Sequence, residues 1–215
     1  MTSAKFLLIA ALMGLSACAA MPVPPPVVDI ASMPCSGTLA TATAMPLLFD
    51  PKGADEKITT AILDGKSNCL QEADGSRRLY QAFALPPMDA PYIIAVRSSP
   101  WGETILAPRL LLLGADGQVM RSITHTDFVF RGEELSTLLR SHPQEYYLVV
   151  TSDNDVLGKQ ITRVVEAVHA TATVMPHGSA FYWYSGSDAT NHMVLSVAGR
   201  IEIAVTPLPK ENGKK

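Results

Sequence analysis

The chain has 215 residues, a formal net charge of -3, 47% hydrophobic residues and 17% charged residues. Soluble domains usually carry about 25% charged residues, and here Lys and Arg form no stripe, so composition argues against a nucleic-acid partner and against a strongly acidic or basic interaction surface. The length suits a single core, and all-β domains of this size are commonly undivided.

The first residues carry one positive charge, Lys5, an apolar run from Phe6 to Leu12, and then small residues up to Cys18. That order is the pattern of an export signal over residues 1–17. The apolar run is short of the roughly 20 residues a transmembrane helix needs. Leu15-Ser16-Ala17-Cys18 resembles the lipobox of bacterial lipoproteins. The resemblance implies that the Cys18 thiol carries a diacylglyceryl group and that cleavage makes Cys18 the new N-terminus. The alternative is an ordinary secretory signal with an incidental Cys. Acyl chains on Cys18 would give stable membrane anchoring. Ala19 is similar to the residue that follows the Cys in outer-membrane lipoproteins, so the expected location is the periplasm, anchored to the outer membrane.

Residues 18–34 contain Pro22, Pro24, Pro25 and Pro26, which force extended backbone and forbid helix. As a tether this stretch would hold the body up to roughly 50 Å from the lipid; the alternative is a Pro-rich recognition peptide. With Cys18 assigned to lipid, Cys35 and Cys69 remain. In an oxidising compartment they are expected to form a disulfide, against the alternative of two buried thiols. The bridge would close a loop of about 35 residues and contribute roughly 3.5 to 4 kcal/mol in the chain-entropy model. It would define a compact N-terminal subregion over residues 35–76. Asp50-Pro51-Lys52-Gly53 marks a turn there. Ile58, Ile62 and Leu63 predict a short helix from about Asp55 to Asp64, stopped at Gly65.

Period-two alternation predicts a strand from Leu79 to Leu85, ended by Pro86-Pro87, and Tyr92 to Arg97 reads as a second. Ser98 to Gly102 is a loop. Thr104 to Leu113 is a third strand, with Pro108 marking an edge or a bulge. Gly114-Ala115-Asp116-Gly117 is a hairpin loop before Val119 to Thr124, and Phe128 to Phe130 continues. Leu135, Leu138 and Leu139 predict a helix over 132–140, with Glu133 and Glu134 in its first turn. Tyr146 to Ser152 is a strand. Ile161, Val164, Val165 and Val168 fit a helical face, with a strand left open by their β-branching. Thr171 to Gly178 reads as a loop. Ala180 to Tyr184 and His192 to Val205 close the chain as strands, with a bend at Gly199-Arg200. The expected fold is mainly β: a jelly-roll-like β-sandwich over 77–206 with one or two short helices, then a solvated tail over 207–215.

No motif for chemistry is present. The five His residues form no His-x-His or His-Glu-x-x-His, so no metal site is expected. Asp153-Asn154-Asp155 with Gly158 fails the calcium-loop pattern and reads as an Asx-rich turn. There is no Gly-x-Ser-x-Gly, Ser-x-x-Lys or phosphate loop. No catalytic residue and no cofactor is assigned, and the chain is not expected to be an enzyme. Aromatic residues are the remaining candidates for ligand contact: Trp101 in its Pro-Gly loop, and Tyr182, Trp183 and Tyr184 in a run with Phe181. Their flat rings suit the C–H faces of a sugar; the alternative is that they fill the core or cover its edge.

Phe83-Ala84-Leu85-Pro86, then Leu106-Ala107-Pro108, the hairpin LLLLGADGQVMRSI, Phe128-Val129-Phe130, and the closing YYLVVTS and GRIEIAV strands succeed one another in a way that resembles the maltose operon periplasmic protein family (MalM-type) over about residues 78–205. Leu106 stands where that family tends to have an aromatic residue, and the 35–75 region departs from it. The resemblance implies a periplasmic location and a link to carbohydrate uptake of the maltose or maltodextrin type, by binding and without catalytic residues. The partners then expected are the membrane through the lipid anchor, carbohydrate, and envelope or transport proteins. The alternative is a structural or interaction lipoprotein of a cell-envelope assembly without a sugar ligand.

Overall fold

The computed structural model describes residues 24, 27–87, 90–174 and 180–208, with the side chains of 164–170, 173–174, 180–184 and 187–189 outside that description. The export signal, Cys18, the prolines at 22, 25 and 26 and the Lys-rich tail lie outside the described residues. In chain order the strands are β1 (Met45–Pro46), β2 (Ile58–Leu63), β3 (Asn68–Gln71), β4 (Arg77–Ala84), β5 (Tyr92–Ser99), β6 (Thr104–Leu106), β7 (Pro108–Leu113), β8 (Val119–Ile123), β9 (Val129–Arg131), β10 (Glu134–Arg140), β11 (Tyr147–Ser152), β12 (Gln160–Val174), β13 (Ala180–Ser196) and β14 (Gly199–Pro207).

They form a β-sandwich. One sheet runs β1-β4-β11-β7-β8, with β3 sharing the β1 edge of β4. The other runs β2-β14-β5-β10-β9. Between them lies one apolar core. Leu79, Phe83, Leu110, Leu112, Leu148 and Val150 come from the first sheet, and Leu63, Ile94, Val96, Ile201 and Ile203 from the second. These residues alternate along their strands, as a half-buried sheet requires. The first sheet is covered on its outer face as well. There Tyr80, Ala82, Leu113 and Val149 form a second cluster beneath Leu39, Ala44 and Leu70. This explains why β4 and β11 are apolar on both faces. The Ala40 amide donates to the Tyr80 hydroxyl oxygen at 2.9 Å, which satisfies that otherwise buried group.

The disulfide Cys35–Cys69 is formed. Residues 35–76 are not a subregion of their own. β2 pairs with β14 in one sheet, while β1 and β3 pair with β4 in the other. The tether also ends earlier than Pro34. Val28, Ile30 and Met33 pack against the core, and Arg77 donates to the carbonyls of Ile30 and Ala31.

Both expected helices are strands. In β2, Thr59, Ala61 and Leu63 are buried while Ile58 and Ile62 are exposed. A spacing of four is also a multiple of two, so Ile58 and Ile62 share a face in either structure. The β-branched Ile58, Thr59, Thr60 and Ile62 then favour the strand. In β10, Leu135 and Leu139 face the core, but Leu138 is 56% exposed. Pairing with β5 on one side and β9 on the other overrides the local helical spacing. Only single 3-10 turns occur among the described residues, at Ile30–Ser32, His125–Asp127 and Asn154–Val156.

The expected third strand is divided at Ala107. Its first part, β6, joins a third sheet ordered β12-β13-β6, and its second part, β7, crosses to the first sheet. Pro108 is the first residue of β7, where no ladder donor is lost. The hairpin loop 114–117 forms as expected, with Gly117 at φ 78°. The segment expected as a loop from Thr171 is strand to Val174, and the two closing strands are divided at 197–198 rather than at 185–191.

Candidate functional site

A groove of about 620 Å³ lies at one end of the sandwich, between the β4–β5 and β10–β11 connections and the chain after β1. Pro86, Pro87, Pro91 and Pro143 form stiff walls, since each ring fixes its own backbone angle. Three aromatic residues line it. Tyr92 is buried at the base with its ring centroid 6.3 Å from that of Phe49, the planes tilted by 41°. Tyr146 is 53% exposed at the rim. The Tyr92 backbone is fixed from both sides: its amide donates to the Ser141 hydroxyl at 3.0 Å, and the Ser141 amide donates to its carbonyl at 2.9 Å. The Tyr92 hydroxyl donates to the Pro86 carbonyl at 3.3 Å.

Among the described residues, the one carboxylate lining this groove is committed to the fold. The Glu145 side chain is 2% exposed and lies 3.0 Å from the Arg121 guanidinium. It also accepts from the His142 amide at 2.9 Å. Removing Arg121 would leave the buried Glu145 charge without its partner, so the pair locks the β10–β11 connection. Burial, and after it the nearby Glu145 carboxylate, pushes the Tyr92 hydroxyl up to about 12. The groove thus presents neutral aromatic and proline surface with hydroxyl, amide and imidazole groups at its rim. Its chemistry suits an uncharged ligand with C–H faces and hydroxyls.

Trp101 sits at the opposite end of β5, in the tight turn into β6. Its amide donates to the Thr104 carbonyl at 2.8 Å, and the Thr104 hydroxyl donates to the Trp101 carbonyl at 2.9 Å. The Arg200 guanidinium lies 5.9 Å from the ring centroid, so this aromatic surface already has a cation against it. Tyr182, Trp183 and Tyr184 lie on β13, opposite Ala172, Thr171 and Ala170 of β12; their side chains lie outside the described residues. β13 runs unbroken from Trp183 to Val194, which pairs with Thr104. At about 3.3 Å per residue, Trp183 and the Trp101 turn are separated by about 35 Å. The structure therefore does not bring the aromatic candidates together.

A His–Asp pair lies where β12 leaves the body. Asp153 is 3% exposed and caps the 3-10 turn Asn154–Val156, as an Asx-rich turn should. The His125 amide and its Nδ1 both lie 3.3 Å from one Asp153 oxygen. Burial is the largest influence on this carboxyl and pushes it up. The His125 amide and ring and the Asp155 amide outweigh it, holding the group below its ordinary value. Beside the pair, a smaller cavity of about 350 Å³ is lined by Phe128, Phe130 and Ile161. Among the described residues, no three His, Cys, Asp or Glu side chains gather as a metal site.

The residues of the groove carry no motif in sequence. Phe49 and Tyr146 come from two connections and Tyr92 from the start of β5, separated by 43 and 54 positions, and the only local signal is the density of proline around 86–91 and at 143. Comparisons of the chain with protein-family models, with curated proteins and with solved structures find no match.

Proposed function

We propose that this chain is an exported, lipid-anchored protein of the bacterial cell envelope, accessory to carbohydrate uptake of the maltodextrin type and working by binding rather than catalysis. The observation that carries the reading is the groove of Phe49, Tyr92 and Tyr146, whose one carboxylate among the described residues, Glu145, is already paired with Arg121. Stacking of sugar C–H faces on such rings, with hydroxyls reaching the rim, needs no ionised group. The export signal and the Cys35–Cys69 bond agree with an oxidising compartment. The periplasmic location and the anchor at Cys18 rest on the sequence.

Calorimetric titration of the full chain with maltodextrins tests the ligand. Binding that weakens at least about tenfold in Tyr146→Ala, a loss of about 1.4 kcal/mol, supports the groove. Absence of heat with every maltodextrin sinks the sugar. Membrane fractionation of Cys18→Ala tests the anchor, and unchanged retention refutes it. A second reading, an interaction lipoprotein of an envelope assembly, is favoured by β12 and β13, which over 164–174 and 180–190 pair only with each other among the described residues.

A further inference from the structure

We infer that β12 and β13 form a protruding arm through which copies of this chain assemble side by side. The two strands pair antiparallel from Gln160↔Val194 to Val174↔Ala180 without a shift of register. Only the root of this ribbon is seated. Ile161, Met193 and Leu195 pack in the main core, and Arg163 donates to the Glu133 carbonyl at 3.1 Å. β6 pairs with β13 only at Val194–Ser196. Past the root, over 164–174 and 180–190, each strand pairs with the other alone among the described residues. Each free edge is then about 35 Å long.

A two-stranded ribbon on its own is marginal in water. Edge strands are ordinarily protected by Lys, by Pro, by bulges or by brevity. None of these protects this arm: residues 164–174 and 180–190 contain no Lys, Arg or Pro, and their acidic residues are Glu166 and Asp188 alone. Among the described residues neither edge has a partner strand past the root, which bears on the occupant. A foreign strand would cover one edge and leave the other exposed. Further copies cover both edges of an arm with one kind of contact, because the β12 edge of one arm meets the β13 edge of the next in antiparallel register and the contact repeats head to tail on either side.

Orientation agrees. The Asn154 side chain donates to the Arg77 carbonyl at 3.0 Å, and the Arg77 side chain holds the carbonyl of Ile30. The chain therefore enters the body at the end from which the arm leaves it. Copies anchored through Cys18 to one membrane would carry their arms in a common direction, as lateral pairing requires. The assembly rests on the lipid-anchored reading for this shared orientation only.

Sedimentation of the full-length protein, extracted in mild detergent, gives the test. In one variant an Asn-Gly pair replaces residues 166–188, joining Val165 to Ala189, which already face each other across the ribbon. In a second, Thr171→Lys with Ser185→Lys keeps the arm and charges its exposed edges. The expected result is a multi-copy species for the native chain, in the Cys18→Ala background as well. The shortened variant should be a monomer with an unchanged melting point. The charged variant should associate at least about tenfold more weakly, a loss of about 1.4 kcal/mol. A native chain that is monomeric at every concentration, or a shortened variant of native size, overturns the inference. A monomeric Cys18→Ala chain that floats with phosphatidylglycerol vesicles only while its arm is present also overturns it, in favour of a lipid surface.

Discussion

The Ser36 amide donates to the Cys69 carbonyl at 2.9 Å, one residue beyond the Cys35–Cys69 disulfide. The Gln71 amide returns to the Ser36 carbonyl at 2.8 Å. The bond and this short bridge together lay the following segment over the outer face of the first sheet, where Leu39 and Ala44 cover Tyr80 and Val149. The Cys35→Ser, Cys69→Ser variant should lose about 3 to 4 kcal/mol. For a domain of this size that lowers the melting temperature by about 7–15 °C. The Ala40 amide, held on the Tyr80 hydroxyl, should exchange faster. Calorimetry with and without reductant checks it; a melting point indifferent to reductant would refute the role given to the bridge.

Tyr92 predicts an alkaline limb. Its hydroxyl is raised from 10.0 to about 12 in the folded chain, first by burial and then by Glu145. Between these values the folded chain keeps a proton that the unfolded chain has lost. Stability from this group is therefore full below pH 10 and declines as pH rises towards 12. Tyr92→Phe should flatten that decline while losing the bond to the Pro86 carbonyl, about 0.5–1.5 kcal/mol at neutral pH. Urea midpoints at pH 9 and pH 11 decide it. Parallel decline in both proteins would show that other groups set the alkaline limit.

Asp153 predicts the opposite limb. Its carboxyl is held below 3.8 because the His125 amide and ring and the Asp155 amide together outweigh burial. Stability from this group is present above that value and is lost as pH falls through the folded one. Asp153→Asn retains a capping oxygen but not the charge, so it should cost on the order of 1 kcal/mol at pH 6. The native chain and the variant should converge in acid. A gap between their denaturation midpoints that does not shrink as the pH is lowered through the acid range would rule this assignment out.

The strands were legible where alternation and turn chemistry agreed. Leu79 and Phe83 share the core side of β4, and Gly114 to Gly117 forms the hairpin loop. The errors fall where spacings of three and four come from residues that also satisfy a period of two. Leu135 and Leu139 face the core in either structure, and nothing local reveals that Ser98 and Ile94 wait across the ladder. The disulfide was legible by elimination of Cys18 and by the count of the remaining cysteines. The groove was not, because Phe49, Tyr92 and Tyr146 meet only when two connections and the start of β5 converge. Nor was the arm: Thr171, Thr173 and Val174 are β-branched, but their run is short and leads into Pro176 and Gly178, and the partner strand that extends it begins only at Ala180.

Gly199 ties the root of the arm to the body. A Cβ built there would stand 2.8 Å from the Leu106 Cβ and 3.1 Å from the Leu106 nitrogen. Gly199 begins β14 of the second sheet opposite Leu63, while Leu106 lies in β6 beside Ser196 of the arm. The approach of backbone to backbone, rather than an unusual φ, demands the glycine here. Gly199→Ala should therefore cost about 1–3 kcal/mol by overpacking. Leu106→Ala should cost about 2–5 kcal/mol by leaving a cavity, yet it keeps the Cβ and nitrogen that collide. The double variant should thus show no rescue and lose at least the sum of the two, although residues in contact ordinarily couple by about 0.5–3 kcal/mol. Chemical denaturation of the four proteins in the cycle measures this. A double variant more stable than that sum would mean that the outer atoms of the Leu106 side chain, not its backbone, exclude a side chain at 199.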